Sequence, residues 1–364
     1  MFSRLLQRFT GNIDSALMFI ATMLLALGLF TLYSAANEDT SRLVAQGVNI
    51  IVALTCMWIA AQIPPQTLMR FALPIYIAGV VLLIAVDLFG EIVNGSQRWL
   101  HIGVTRFQPS EVLKIAMPLM LAWYFDRREG GVRLRDFIIA TALLAIPAGL
   151  IMKQPDLGTA MLVLAAGFYV IFLAGLPWKI ILGIVLAVGA ATPVFWSMLH
   201  DYQQQRILTL IDPTTDPLGA GYHIIQSTIA VGSGGLKGKG WLEGTQTHLE
   251  FIPERTTDFI FAVYSEEFGL IGNGILLVLY LALIGRGLMI AAGAANFFGR
   301  LLAGAISLSF FTYVFVNMGM VSGILPVVGV PLPLISYGGT ALVTLFVGIG
   351  ILMSIQKHRK LVQT

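Results

Sequence analysis

The segment "MFSRLLQRFTGNIDSALMFIATMLLALGLFTLYSAANED", Met1 to Asp39, decides the class of fold. Two arginines precede a run of about twenty apolar residues, the length a helix needs to cross the hydrocarbon of a bilayer. Ser34-Ala35-Ala36 offers a small-residue cleavage site. The apolar stretch is nevertheless too long for a signal-peptide h-region and reads as an uncleaved first span. The remainder of the chain repeats this theme. It is 57% hydrophobic and 11% charged, with a mean hydropathy of +0.84; soluble domains carry about a quarter charged residues. Only helices and closed barrels satisfy their backbones in lipid, and long unbroken apolar runs select helices. The lone cysteine, Cys56, lies inside such a run and excludes a disulfide within the chain. A net charge of +3 suits membrane-flanking loops and not nucleic acid.

The pattern predicts an all-α, polytopic membrane protein with ten transmembrane helices near 14–34, 43–63, 70–89, 109–125, 137–153, 159–176, 179–199, 266–290, 299–322 and 337–356. Arg4, Arg8, Arg70, Arg127, Arg128, Arg133, Arg135, Lys179, Arg286, Arg300, Lys357, Arg359 and Lys360 fall on the side of the N-terminus, which the positive-inside rule makes cytoplasmic. Both termini are then cytoplasmic. Residues 1–364 read as one integral-membrane domain, with an extracytoplasmic loop over 200–257 between the seventh and eighth spans and a smaller one near 90–108.

The loop ends in "ERTTDFIFAVYSEEFG", Glu254 to Gly269, where Asp258 stands at the mouth of a hydrophobic run. One reading makes Thr257 or Asp258 a helix cap. The other makes Asp258 a carboxylate whose apolar setting raises its pKa towards that of a general base. In "QPSEVLKIAMP", Pro109 suits a first helical turn, and Glu111 and Lys114 share a face. They form either an internal ion pair or the lining of a polar cavity. Asp156, in "KQPDLGT", caps a helix or joins that cavity. "GSGGLKGKG", Gly232 to Gly240, resembles a phosphate cradle, but Gly240 stands where a Walker motif needs Ser or Thr. A solvated turn and a loop whose lysines approach a lipid pyrophosphate fit it equally. The Gly and Pro interruptions of "GILPVVGVPLPLISYGGT", Gly323 to Thr340, suit a re-entrant segment lining a cavity. The histidines show no metal-ligand spacing.

Taken in order, "FQPSEVLKIA", "QPDLGT", "DPLGAGYHIIQS", "GSGGLKGKGW", "ERTTDFIFAVYSEEFG" and "LPVVGVPLPLISYGGT" resemble the SEDS (shape, elongation, division, sporulation) family over essentially the whole chain. They are closest to its elongation branch. The resemblance implies a ten-span peptidoglycan glycosyltransferase on the outer face of the bacterial inner membrane. It would polymerise lipid II, the undecaprenyl-pyrophosphate-linked disaccharide pentapeptide, beside a class B penicillin-binding protein and other elongation-complex proteins. The family's essential aspartate matches Asp258, and its Glu/Lys pair matches Glu111 and Lys114.

The residues can be weighed against that chemistry. Inverting transfer of a sugar to a 4-hydroxyl needs one base; the pyrophosphate leaves without a general acid but benefits from cations. Asp258 would be the base. Arg98, Arg106, Lys153, Arg206, Lys237, Lys239 and Arg255 are the candidate pyrophosphate-binding cations. No organic cofactor is expected, while a divalent cation, Mg2+ or Mn2+, could share the pyrophosphate charge. The rival reading is a lipid II flippase, whose polar groups would be spread through the depth of the spans.

Overall fold

Asp14 opens the first helix: its carboxylate accepts the Leu17 N–H at 2.9 Å and so satisfies one of the unpaired donors of the first turn. The computed structural model describes residues 13–93, 96–102, 105–128, 131–198, 201–215, 219–252 and 254–359. The capped helix, α1 (Ser15–Ala35), is followed by α2 (Thr40–Gln62) and α3 (Pro65–Phe89). A small antiparallel sheet then occupies the expected first loop, with β1 (Glu91–Val93), β2 (Ser96–Ile102) and β3 (Thr105–Phe107) in that order and Ile92 paired with Gln97.

Next come α4 (Pro109–Asp126), α5 (Leu134–Lys153), α6 (Leu157–Leu173) and α7 (Trp178–Met198). The long loop carries its own helices, α8 (Asp201–Ile211), α9 (Ala220–Ser233) and the single turn α10 (Thr245–His248). Three further helices complete the chain: α11 (Ile260–Ala292), α12 (Phe297–Val321) and α13 (Thr340–Lys357).

Each of the ten expected spans falls on one of these helices. Seven of them, α1, α2, α3, α5, α11, α12 and α13, are long and apolar enough to cross a membrane; α6 and the apolar part of α7 are shorter. The chain is a multi-pass, all-α membrane protein. Its core is centred on α12, whose most apolar window is 72% buried against 22% for α2. α12 packs on α11, α6 and α4, while α2 lies along α13 and α3 along α4. Only marginal contacts tie α7 to the rest of the described residues. Its Leu182, Val185 and Leu186 are 60–64% exposed, as expected of a helix whose apolar surface is covered by lipid.

The eighth span departs from its expected bounds. α11 starts at Ile260, not 266, and it breaks at Gly269, whose φ of 62° lies in the left-handed region. A side chain cannot be accommodated there, because a Cβ on Gly269 would lie 2.3 Å from the Gly238 nitrogen.

Candidate active site

Asp258 sits on a turn just ahead of α11. The Thr257 and Phe259 N–H groups both donate to the Glu254 carbonyl, at 3.0 and 3.3 Å. The N-cap position falls on Phe259, without a side-chain cap. Thr257 Oγ1 turns back to the Glu254 carboxylate at 2.9 Å, so neither Thr257 nor Asp258 caps the helix. The backbone of this turn is stitched to the irregular segment between α12 and α13. Asn317 Nδ2, buried on α12, donates to the Asp258 carbonyl at 2.8 Å and to the Val330 carbonyl at 2.7 Å. Ser336 Oγ donates to the Thr257 carbonyl at 2.7 Å, and the Tyr337 N–H donates to the Thr256 carbonyl at 2.9 Å.

With its main chain held this way, the Asp258 side chain projects into a cavity of about 190 Å³ that includes Pro331, Leu334, Tyr337, Thr340 and Leu345. Gly329, at φ 71°, lies close enough that a Cβ there would be 3.3 Å from Asp258 Oδ2. The carboxylate accepts no hydrogen bond from the described residues. Burial, with a smaller contribution from Glu254, pushes its pKa up to about 6.

The polar pair on α4 also packs against α13. Lys114 Nζ donates to Glu111 Oε1 at 2.6 Å, with both side chains nearly buried. Thr344 Oγ1 donates to Glu111 Oε2 at 3.1 Å. Leu345 lines both the Asp258 cavity and the small space beside Lys114. Glu111 also closes the end of an apolar groove of about 680 Å³ between α2, α3, α4 and α13, lined by Val52, Ile75, Ile115, Val343 and Val347. Thr340 borders both the groove and the Asp258 cavity.

The cations separate into groups. Arg98 donates to the Pro155 carbonyl at 2.5 Å and lies 3.7 Å from Asp156. Asp156 caps α6 through the Thr159 N–H and accepts from Gln108 Nε2, so it ties the sheet to the α5–α6 turn. Lys153 pairs with Asp87 at 2.6 Å in the open. Lys239 pairs with the fully buried Glu266 at 2.7 Å, and Lys237 is exposed. Arg255 donates to the Ala35 carbonyl at 2.7 Å and to Glu250 at 2.8 Å. The side chains of Arg106 and Arg206 lie outside the described part of the structure.

Glu266 also accepts the Gln246 and Thr247 N–H groups at 3.0 and 3.3 Å. Glu267 accepts from Ser34 Oγ. Both carboxylates therefore anchor the loop and α1, outside the Asp258 cavity. The Gly-rich stretch packs on α11. Cβ atoms on Gly234 and Gly238 would lie 2.1 and 2.0 Å from carbonyl oxygens of α11, so these glycines permit backbone-to-backbone packing.

Three residues absent from the sequence-based expectation complete the site. Arg42 Nη1 donates to Thr256 Oγ1 at 3.0 Å, and Gln46 on the same helix contacts both the Ser336 carbonyl and the Gly338 N–H. Asn49 Nδ2 donates to Gln46 Oε1 at 3.3 Å. Their spacing within an apolar helix places them on one face, and that was the signal available. Among the described residues no three His, Cys, Asp or Glu side chains converge as a metal site would require.

Comparison with known proteins agrees with this architecture. The FtsW/RodA/SpoVE cell cycle protein model matches residues 15–361. The chain is 53% identical to the peptidoglycan glycosyltransferase MrdB of Escherichia coli K12 over 351 residues, covering 96% of this chain and 95% of that protein. It is 38% identical to the MrdB of Helicobacter pylori J99, covering 86% and 83%. A chain from a peptidoglycan synthase complex that coordinates polymerization and crosslinking superposes with a TM-score of 0.83 at 34% identity, covering 96% and 98%. The crystal structure of the Thermus thermophilus rod shape determining protein RodA does so at 0.72 and 29%, covering 95% and 97%. With a family model spanning nearly its full length and relatives of this identity, the chain belongs to the FtsW/RodA/SpoVE, or SEDS, family of cell cycle proteins, on its RodA side.

Proposed function

We propose that this protein is a peptidoglycan glycosyltransferase that polymerises lipid II on the outer face of the bacterial inner membrane, with Asp258 as general base. One observation carries the reading. An unpartnered carboxylate lines a cavity that shares Thr340 with an apolar groove between α2, α3, α4 and α13. That arrangement fits a substrate with a long hydrocarbon tail and a polar head. The tail lies along Val52, Ile115 and Val343, and the sugar reaches Asp258.

In the transfer, the Asp258 carboxylate takes the proton of the acceptor 4-hydroxyl as its oxygen bonds to the donor C1. The C1–O bond to pyrophosphate breaks with inversion. A carboxylate with pKa near 6 is ionised at neutral pH yet basic enough to help, and such a base contributes about 10²–10⁴ in rate. The departing charge falls to cationic side chains on the same side. Arg42, held only by a hydroxyl, and the exposed Lys237 are better placed to change partners than Lys239 or Arg98, which are already paired. Glu111, Lys114 and Asp156 support the cavity walls. A divalent ion would travel on the pyrophosphate itself.

The flippase reading loses ground. The relatives with these identities are named glycosyltransferases, and apart from the Glu111–Lys114 pair the polar residues singled out gather at one end of the bundle. By its likeness to a chain of the synthase complex, the protein is proposed to work beside a class B penicillin-binding protein that crosslinks its product, with both termini cytoplasmic.

The test is strand synthesis from labelled lipid II by the purified protein in liposomes, alone and with that partner. Long strands from wild type and none from Asp258→Ala support the reading. Lipid II crossing the bilayer without strands in any condition overturns it.

A further inference from the structure

The Gly-rich stretch occupies an unusual depth. Asp14, at the foot of the apolar span α1, forms an ion pair with Arg286 of α11, so heights along both helices can be measured from that level. From Asp14, α1 climbs about 24 Å to Phe30 at 1.5 Å per residue. From Arg286, α11 climbs about 22 Å back to Ile271. Both heights fall short of the ~30 Å hydrocarbon core, and any tilt shortens them further.

The loop reaches both levels. Ile271 N–H donates to the Leu236 carbonyl at 3.1 Å and Leu270 N–H to that of Gly235 at 2.9 Å. Trp241 Nε1 donates to the Phe30 carbonyl at 3.1 Å, with its ring 5.6 Å from Phe30 and 5.9 Å from Tyr33. Its surroundings are apolar and uncovered: Leu236 is 68% exposed, Leu270 61%, Ile271 57% and Phe30 57%. These side chains continue the lipid-facing surface of α1 and α11.

We propose that Gly234–Trp241 is a re-entrant loop seated in the bilayer leaflet on the large-loop side, with Leu236 and Trp241 among the acyl chains of membrane lipids. Irregular backbone survives at such depth only if its polar groups are satisfied, and α11 and the loop itself satisfy several of them, Gly238 N–H donating to the Gly234 carbonyl at 2.8 Å. The break at Gly269 releases the N–H groups of Leu270 and Ile271 to the loop carbonyls. In return Lys239 N–H donates to the Glu266 carbonyl at 3.0 Å and Gly240 N–H to that of Glu267 at 3.1 Å. Glu266 neutralises Lys239. Exposed Lys237 is long enough to return its ammonium to the lipid phosphates. The loop thus fixes the height of the bundle in the leaflet.

Depth measurement on the full-length protein in phosphatidylcholine liposomes tests this. In a Cys56→Ser background, Leu236→Cys carries a nitroxide, with Leu249→Cys as the aqueous reference. Leu249 follows His248, which is bonded to Asn37 beyond the end of α1. The expected result is an oxygen-to-nickel-chelate accessibility ratio several-fold higher at 236 than at 249. Equal ratios overturn the proposal. If Leu236→Cys does not fold, Trp241 serves instead, its emission taken as wild type minus Trp241→Phe. Quenching by lipids brominated on the acyl chain supports the inserted loop, and quenching by aqueous acrylamide alone excludes it.

Discussion

At neutral pH Asp258 is ionised in a place that resists ionisation. Its folded pKa of about 6 lies above the unfolded value of 3.8, so the stability it contributes is complete below pH 3.8 and is lost as pH rises through 6. Above that, the folded protein carries a cost of about 2 kcal/mol, allowing for the partial exposure of the group. Two outcomes are expected. Asp258→Asn should raise the thermal midpoint at pH 7.5 while strand synthesis falls by about 10²–10⁴, both read on the same preparation. The initial rate of the wild type should drop about tenfold per pH unit below 6, because only the carboxylate accepts the proton; a flat profile between pH 5 and 7 would remove Asp258 as the base. Asp258 stood out in the sequence as a candidate because a charge at the mouth of an apolar run is rare, and the family resemblance gave it the role of base. The partners of the candidate cations Lys239 and Arg255, Glu266 and the Ala35 carbonyl, could not be read in the sequence, because only the fold brings them together.

The element that organises the outer surface is the broken helix α11. Its first segment presents Glu266 and Glu267 to the loop, and its break at Gly269 accepts the loop backbone. Gly238→Ala combines φ 81° with a Cβ 2.0 Å from the Glu267 oxygen. It should destabilise the protein by about 3 kcal/mol or more, read as a lowered thermal midpoint. Removing Glu266 leaves Lys239 and the Gln246 and Thr247 N–H groups without their acceptor. Glu266→Ala should therefore cost about 3 kcal/mol and speed trypsin cleavage after Lys239, while Glu243→Ala, at an exposed position, should not. The spans were readable from apolar length alone. The small sheet was not, since its strands, two of them three residues long, are too short for an alternating pattern to show.

Across the whole molecule, the groove between α2, α3, α4 and α13 shares Thr340 with the Asp258 cavity, and in the proposed function it takes the lipid tail. Val343→Trp should narrow that groove. The expected effect is a raised KM for long-chain lipid II with much less change for a short-chain analogue; equal changes for both would place the tail elsewhere. Such a groove cannot be seen in any one segment, because four helices from three regions of the chain form it.

The amino-acid sequence by itself determined the membrane class, the positions of the helices and the candidate base, since each depends on apolar length or on a charge where charges are costly. Tertiary structure alone decided which charged groups are paired, where the irregular Gly323–Thr340 segment closes over Asp258, and that the Gly-rich stretch packs against α11. Those outcomes rest on contacts between residues far apart in the chain, and their energies depend on burial that only the assembled bundle creates.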